Sequence, residues 1–359
     1  MKTLLLTLEY PPFNGGVANY YANLFKYWPK TASLEVIDNN QGALVKGGKC
    51  AWCKVVAKIL RYKKNTGFDY LLVGHILPLG TAAYLASRIN FFKYGIILHG
   101  LDFSQAISRP RKRFLTRLIL NKADKIICAN SRVAQMVIDF NQQLADKVKI
   151  VNPGVEPLAN QANLEKVQKF KQQYGLENVF TLLTVGRLTL RKGVDAVIQA
   201  LSSPEIQGLT LKYFIAGVGQ QEKYLRDLAS QSPFKDRIIF LGELSEEDKW
   251  IWLNVCDAFI MPAREIGHDF EGFGIVYLEA NLAGKPVIAG NSGGVKDAVS
   301  DMENGLLINP EKLAEITKAI IKLAENKNLA FELGEKGKRR AQTKFNWEGQ
   351  AKSLYQIIK

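Results

Sequence analysis

Short apolar runs alternate along the chain with longer stretches in which apolar positions recur every three or four residues. Residues 3–8 read as a strand, 10–16 as a Pro/Gly loop and 17–28 as an aromatic-rich helix. Strand-like runs follow at 34–37, 70–73, 95–98, 125–128 and 148–151, with helical patterns between most of them, notably 81–88 and 111–120. The stretch 156–174 turns polar, and the alternation restarts with runs at 180–185, 211–216, 238–241, 258–261 and 286–289. Short apolar strands alternating with helices predict α/β architecture, with parallel sheets covered on both faces. The polar stretch sets the expected boundary between a domain of residues 1–165 and one of 166–342. Two doubly wound domains in succession predict a cleft between them, with ligands at the carboxyl ends of the strands.

Composition narrows the class. The chain has 359 residues, 47% hydrophobic and 23% charged, which excludes disorder, collagen and a disulfide-stapled miniprotein. No apolar run reaches the ~18 residues of a membrane span, and the apolar start is too short for a signal peptide, so a cytoplasmic protein is expected. Of four cysteines, Cys50 and Cys53 form a lone C-x-x-C among lysines. Neither a second pair for zinc nor a surrounding βαβ pattern accompanies them, and two helix-borne thiols are the simpler reading.

Charge changes the picture more. Residues 1–152 carry 22 Lys+Arg against 8 Asp+Glu, whereas the remainder is balanced at 26 against 26. Lys46, Lys49, Lys54, Lys58, Arg61, Lys63 and Lys64 run without an acid between Asp38 and Asp69, and Arg109, Arg111, Lys112, Arg113 and Arg117 form a second cluster. The excess points to an anionic partner of the first half: a membrane surface, a nucleic acid or a phosphorylated substrate.

The densest candidate chemistry is Glu271-Gly-Phe-Gly-Ile-Val-Tyr-Leu-Glu279, at the entry to a helix expected to end near Gly284. Were the interval fully helical, the carboxylates would lie ~12 Å apart along the axis, at 1.5 Å per residue. A retaining glycosidase pair needs about 5–5.5 Å, so these acids are expected to hold two parts of one long ligand. Gly272 and Gly274 bracket Phe273 and leave amides free at a helix start, where an anion is favoured. A second signal is Gly186-Arg187, followed by Arg191-Lys192-Gly193, a basic strand-to-helix turn suited to phosphate or merely solvated. Gly217 with Gly219, and Ser292-Gly293-Gly294, end two further strands.

In the first half, Asn14-Gly15-Gly16 closes the first loop, and its amides sit at a helix N-terminus. The spacing is not the dinucleotide fingerprint G-x-G-x-x-G, although Asp38 stands where an NAD ribose acid would. Of the three histidines, His99 ends a strand ahead of Gly100 and Asp102, and His75 ends another ahead of Pro78; His268 lies in the loop 264–270.

Taken together these motifs resemble the family 4 retaining glycosyltransferases of the GT-B fold, two Rossmann-like domains facing across a cleft. The ordered set is Gly15-Gly16, His99-Gly-Leu-Asp102, Asn152-Pro-Gly-Val155, Gly186-Arg-Leu with Arg191-Lys-Gly, Glu271 to Glu279 as E-x7-E, and Ser292-Gly-Gly294. Residues 261–280 look most like the bacterial phosphatidylinositol mannosyltransferase and related mannosyltransferase branch. The resemblance implies transfer of a hexose, mannose favoured, from a nucleoside-diphosphate sugar to a lipid-linked or saccharide acceptor in cell-envelope glycan, glycolipid or lipopolysaccharide synthesis. Arg187 and Lys192 would hold the donor diphosphate, with Gly15 and Gly16 closing over it. Glu279 would accept from the ribose hydroxyls. Glu271, with the amides of Phe273, Gly274 and Ile275, would grip sugar and phosphate, beside His99. Gly217, Gly219 and residues 241–244, ending at Leu244, would border the base, and His75 and Asp102 would face the acceptor. Residues 343–359 would carry a final helix crossing back to the first domain. The resemblance also implies retention by front-face attack, a donor phosphate oxygen taking the acceptor proton, and neither a metal nor a cofactor beyond the donor itself.

The basic first half would then be the acceptor-binding domain, peripheral on the inner face of the plasma membrane. Trp52, Val55, Val56, Ile59 and Leu60 recur at helical spacing, a stripe suited either to a membrane surface or to the domain core. A nucleic-acid-binding protein using the basic half is the alternative, but no helix-turn-helix, RRM or zinc-finger pattern is present, so no nucleic acid is expected. A GT-B phosphorylase or epimerase would keep the fold and change the reaction.

Overall fold

A computed structural model describes residues 1–13, 15–45, 51–156, 164–267 and 269–359. Asn14, Lys46, Lys49, Cys50 and His268 therefore lie outside the described residues. The chain divides into two compact units, Met1–Gly154 with Trp347–Lys359, and Val155–Asn346.

In the first unit the strands β1 (Lys2–Leu6), β2 (Ser33–Ile37), β3 (Tyr70–Val73), β4 (Lys93–Leu98), β5 (Lys125–Cys128) and β6 (Val148–Ile150) form one parallel sheet in the order β2-β1-β3-β4-β5-β6. The second contains β7 (Phe180–Val185), β8 (Leu211–Ala216), β9 (Ile238–Gly242), β10 (Ala258–Met261), β11 (Val287–Gly290) and β12 (Gly305–Ile308), in the order β12-β11-β10-β7-β8-β9. Strands such as Tyr70–Val73 and Ala258–Met261 are buried at every position, because helices cover both faces and no side chain is left for water. Strand order reverses direction between β1 and β3 in one unit and between β7 and β10 in the other. At such switch points the flanking connections leave toward opposite faces and open a crevice at the carboxyl edge.

The expected strands are present to within two residues at each end, and β12 is an addition. The chain enters the second unit at Val155, earlier than the expected 165, because the Val155 amide already donates to the Phe345 carbonyl (2.7 Å). The second unit runs on to Asn346, past the expected 342, since Phe345 is buried in its core against Phe273. The helix Trp347–Ile358 packs in the first unit, its Trp347, Ala351, Leu354 and Ile358 sharing a core cluster with Tyr20, Tyr21 and Ile97.

One expectation is resolved by packing. In the helix Ala51–Asn65, Val55 and Ile59 are fully buried and Trp52, Val56 and Leu60 half-buried, so the apolar stripe turns toward its own domain's core. Lys54, Arg61 and Lys64 stay exposed, whereas Lys63 turns back, its ammonium on the Phe68 carbonyl and over the Phe68 ring.

Candidate active site

At the carboxyl edge of the second sheet, β7 runs into Gly186-Arg187 and then a single 3-10 turn, Leu190–Lys192, before the helix Val194–Leu201. Gly193 joins turn to helix at φ 72°, and a Cβ there would strike the Pro262 carbonyl of the loop after β10, so the two loops meet at a distance only glycine permits. The contact is reinforced by the Arg264 amide donating to the Arg191 carbonyl (2.8 Å) and by the Arg264–Asp195 ion pair (2.6 Å). The switch point between β7 and β10 is thus a rigid shelf carrying Arg191 and Lys192.

Both cations converge on one acid. The Glu271 Oε2 atom is 2.6 Å from the Lys192 ammonium and also takes a hydrogen bond from the Arg191 guanidinium. All three side chains are only 10–13% exposed. Burial alone would push the Glu271 carboxyl up, but Lys192 and Arg191 outweigh it and hold the acid below the ordinary carboxylate range. Asp269 adds a longer contact to Arg191 (3.2 Å), and Ile266 and Asp269 exchange reciprocal backbone hydrogen bonds. The Glu271 carbonyl is held in turn by the Gly294 amide (2.9 Å), which ties the Ser292-Gly293-Gly294 loop to the same acid.

Three residues on, Gly274 caps the helix Ile275–Leu282 in the left-handed conformation (φ 77°), so Phe273, Gly274 and Ile275 present the start of a helix next to Glu271. Glu279 lies just over one turn into that helix and pairs with Lys249 (2.8 Å), which also holds Glu246 (2.9 Å). Burial would lower the Lys249 pKa, and the two glutamates raise it instead. The interval between the acids is only partly helical, and Glu271 pairs with Arg191 and Lys192 while Glu279 pairs with Lys249. Arg187 is exposed and has no ion pair among the described residues. Behind it Gly217 and Gly219 bring the loop after β8 against Gly186 and Leu188, with Leu188 donating to the Val218 carbonyl (3.0 Å). Leu244 is half-buried at the foot of the helix Glu246–Val255, whose N-cap is Ser245.

In the first unit the edge beside β1 and β3 carries the other predicted residues. Gly15 caps the helix Gly16–Lys26, and a Cβ on Gly16 would meet nothing within 4 Å. His75 accepts from the Leu8 amide at Nδ1 (3.4 Å) and stands 3.5 Å from Glu9. His99 Nε2 lies 2.8 Å from the Tyr21 hydroxyl, with Tyr20 packed edge-on to the ring. Burial, and secondarily His75, depress the His99 imidazole to about 3, so it is neutral at working pH. Asp102 Oδ1 accepts from the His99 (3.0 Å) and Gly100 (2.9 Å) amides, while Oδ2 is buried without a hydrogen-bond partner among the described residues. Burial raises the Asp102 carboxyl despite those amides.

Within the second unit, then, Lys192, Glu271, Phe273, Gly274 and Ile275 come together, with Arg187, Gly217, Gly219, Leu244 and Glu279 on adjoining loops and helices of the same edge. Arg191 and Lys249 were missed as site residues. Arg191 lay inside a recognised basic motif; Lys249 follows three acids in a helix start and carries no signal of its own. A cavity of about 550 Å³ at the opposite, amino edge of the sheet, lined by Lys171, Phe180, Asp257 and Lys285 among others, belongs to none of this. Among the described residues no group of three or more His, Cys, Asp or Glu stands close enough to hold a metal ion.

Comparison with known proteins decides the family. Residues 166–340 match the model of the glycosyl transferases group 1. A GDP-mannose-dependent α-(1-6)-phosphatidylinositol monomannoside mannosyltransferase of Mycobacterium tuberculosis is 30% identical over 387 aligned positions, covering 100% of this chain and 98% of that protein. The chain belongs to the group 1 glycosyltransferases. A monoacylated-substrate relative of that mannosyltransferase from Corynebacterium glutamicum is 25% identical, covering 99% and 97%. Among solved structures, HepE of Anabaena in complex with UDP superposes with a TM-score of 0.80 at 20% identity, covering 100% of this chain and 99% of that one. This group 1 glycosyltransferase has the GT-B fold, with two parallel six-stranded sheets in separate α/β units.

Proposed function

We propose that this glycosyltransferase moves mannose, with retention and without a metal, from GDP-mannose to a lipid-linked acceptor of the cell envelope. The observation that carries the reading is the buried acid set between two cations, Glu271 with Arg191 and Lys192, at the switch point of the second sheet. Breaking a sugar–phosphate bond demands stabilisation of the departing diphosphate, and preorganised cations in a water-poor site supply it without reorganising. Arg187 and Lys192 take the diphosphate, with Gly15 and Gly16 offering helix-terminal amides. Glu271 then exchanges part of its cation contact for sugar hydroxyls, helped by the amides of Phe273, Gly274 and Ile275. Glu279 accepts from the ribose, and Gly217, Gly219 and Leu244 border the base. His99 lies beside the sugar, and His75 and Asp102 serve the acceptor. The donor choice rests on full-length relatives whose names specify GDP-mannose.

No helix among the described residues is long and apolar enough to cross a membrane. A peripheral attachment to an anionic leaflet rests on the exposed Lys54, Arg61 and Lys64, with Ile89 (67% exposed) and Phe91 (88%) as apolar contacts on the same basic unit. Each cation near such a surface contributes about 1 kcal/mol. Charge reversal of Lys54, Arg61 and Lys64 to Glu should abolish sedimentation with phosphatidylglycerol vesicles; unchanged sedimentation removes the membrane from the proposal.

Calorimetric titration with GDP, UDP and ADP tests the core of the reading. GDP binding that is lost in Lys192→Ala and weakened in Glu279→Ala supports it. Preference for UDP would change the donor, and binding of no nucleoside diphosphate would sink the proposal.

A further inference from the structure

The Tyr21 hydroxyl sits between two partners, the Gly74 carbonyl at 2.7 Å and His99 Nε2 at 2.8 Å. A carbonyl only accepts, and a phenol has one proton to give. That proton goes to Gly74, since otherwise two oxygen lone pairs would face each other at 2.7 Å inside the fold. The Tyr21 oxygen is then an acceptor toward His99, and the imidazole must supply the hydrogen from Nε2. The neutral ring carries a single N–H, so Nδ1 is left with a lone pair. No described residue donates to that atom.

We propose that Tyr21 is a positioning residue that locks His99 in the Nε2–H tautomer, so that Nδ1 can only accept, and that the group it recognises is a hydroxyl of a sugar substrate. The arrangement is built for this pair. A Cβ on Gly74 would stand 2.7 Å from the Tyr21 ring, so glycine at that position is what lets the phenol reach both partners. Tyr20 packs edge-on to both the Tyr21 and His99 rings and to Trp347, which removes their freedom to rotate away. Burial, with Asp102 next, raises the Tyr21 pKa well above the ordinary value, so the phenol keeps its proton and the lock does not open at working pH. His99 acts in consequence as a fixed hydrogen-bond acceptor and exchanges no proton with substrate. The inference rests on the proposed placement of His99 beside the sugar only for its second half; the tautomer stands on the geometry of the first unit alone.

The chain has three histidines, which makes the test tractable by ¹⁵N NMR of the full-length protein labelled at histidine nitrogens. With His99 assigned through His99→Gln, the wild-type spectrum at neutral pH should show it as a single tautomer, protonated at Nε2 and bare at Nδ1. Tyr21→Phe should give the averaged shifts of an exchanging ring, and Gly74→Ala, which displaces the phenol without deleting it, should move the spectrum the same way. A wild-type ring protonated at Nδ1, or a pure Nε2–H tautomer persisting in Tyr21→Phe, would overturn the assignment. Kinetics with GDP-mannose supply the second readout. Losing one hydrogen bond should lower kcat/KM about tenfold in Tyr21→Phe. Because Tyr21 acts through His99, adding Tyr21→Phe to His99→Ala should cost nothing more, whereas a purely structural tyrosine would add its own loss. Should GDP-mannose prove not to be the donor, the spectra still decide the tautomer while the proposed function alone fails.

Discussion

Replacing Glu271 by alanine strips Lys192 of its acid partner and leaves Arg191 with only the longer contact to Asp269. At 13% and 11% exposure neither side chain reaches bulk water without moving the shelf that holds it. Removing one partner of a buried ion pair typically costs about 3–5 kcal/mol, chiefly the desolvation of the charges left behind. For a domain of about 150–250 residues each kcal/mol shifts the midpoint by roughly 2–4 °C, so Glu271→Ala should melt about 6–20 °C below wild type. Glu271→Gln keeps an oxygen for Arg191 and removes only the charge, and its cost should be about 1–3 kcal/mol. Acid supplies an internal control. The folded-state pKa of Glu271 is held below its ordinary value, so its contribution is complete above that value and is lost as pH falls through the folded one. Wild type and Glu271→Gln should therefore differ at pH 7 and converge on acidification below about pH 4.3, the unperturbed glutamate value. Scanning calorimetry across pH 3–8 measures this directly. A Glu271→Ala midpoint within 2 °C of wild type, or two curves that stay parallel into acid, would refute the claim that this triad is a tight, desolvated unit.

Arg187→Ala should leave stability within about 0.5 kcal/mol, because the side chain is exposed and unpaired, yet weaken GDP binding by about 10–100-fold, the worth of a charge-assisted hydrogen bond; titration calorimetry together with a melting curve separates the two. Gly193→Ala should cost about 1–3 kcal/mol from the left-handed backbone alone, with a further loss where the methyl meets the Pro262 carbonyl, read as a lowered denaturation midpoint. Lys249 has its pKa raised by Glu279 and Glu246, so its pairing is complete below the ordinary lysine value and is lost as pH rises past the elevated one. The stability gap between wild type and Lys249→Met should accordingly persist through pH 9 and close only above about pH 10.4, the unperturbed lysine value; a gap already closed at pH 8 would contradict the assignment.

What the sequence made legible followed from local rules. Fully apolar runs such as Tyr70–Val73 and Ala258–Met261 show parallel strands because both faces are covered, and Gly193 and Gly274 mark the turns that start two helices. The residues that went unread depend on contacts across the fold. Arg191 meets Glu271 eighty positions away and Lys249 meets Glu279 thirty away, and no spacing rule encodes either. The Trp52-to-Leu60 stripe is equally compatible with a core or a membrane, because amphipathicity specifies only that one face avoids water. β12 escaped because Gly305–Ile308 is four residues long at a sheet edge, where a brief apolar run looks like a loop. Tyr20 and Tyr21 were visible as part of an aromatic helix, but their bearing on His99 depends on a glycine at the end of another strand.

The placement of Trp347–Lys359 in the first unit has a consequence for how the protein is made. Core positions of that unit, Trp347, Ala351, Leu354 and Ile358, are synthesised only after the whole of Val155–Asn346. At about 5–20 residues per second the early strands wait roughly 10–40 s for their closing helix. The second unit is continuous in sequence and meets no such delay. A released chain that ends at Asn346 should therefore display a completed carboxyl-terminal unit tethered to an amino-terminal one whose apolar surface is still uncovered, the stage at which a chaperone would find the most to hold.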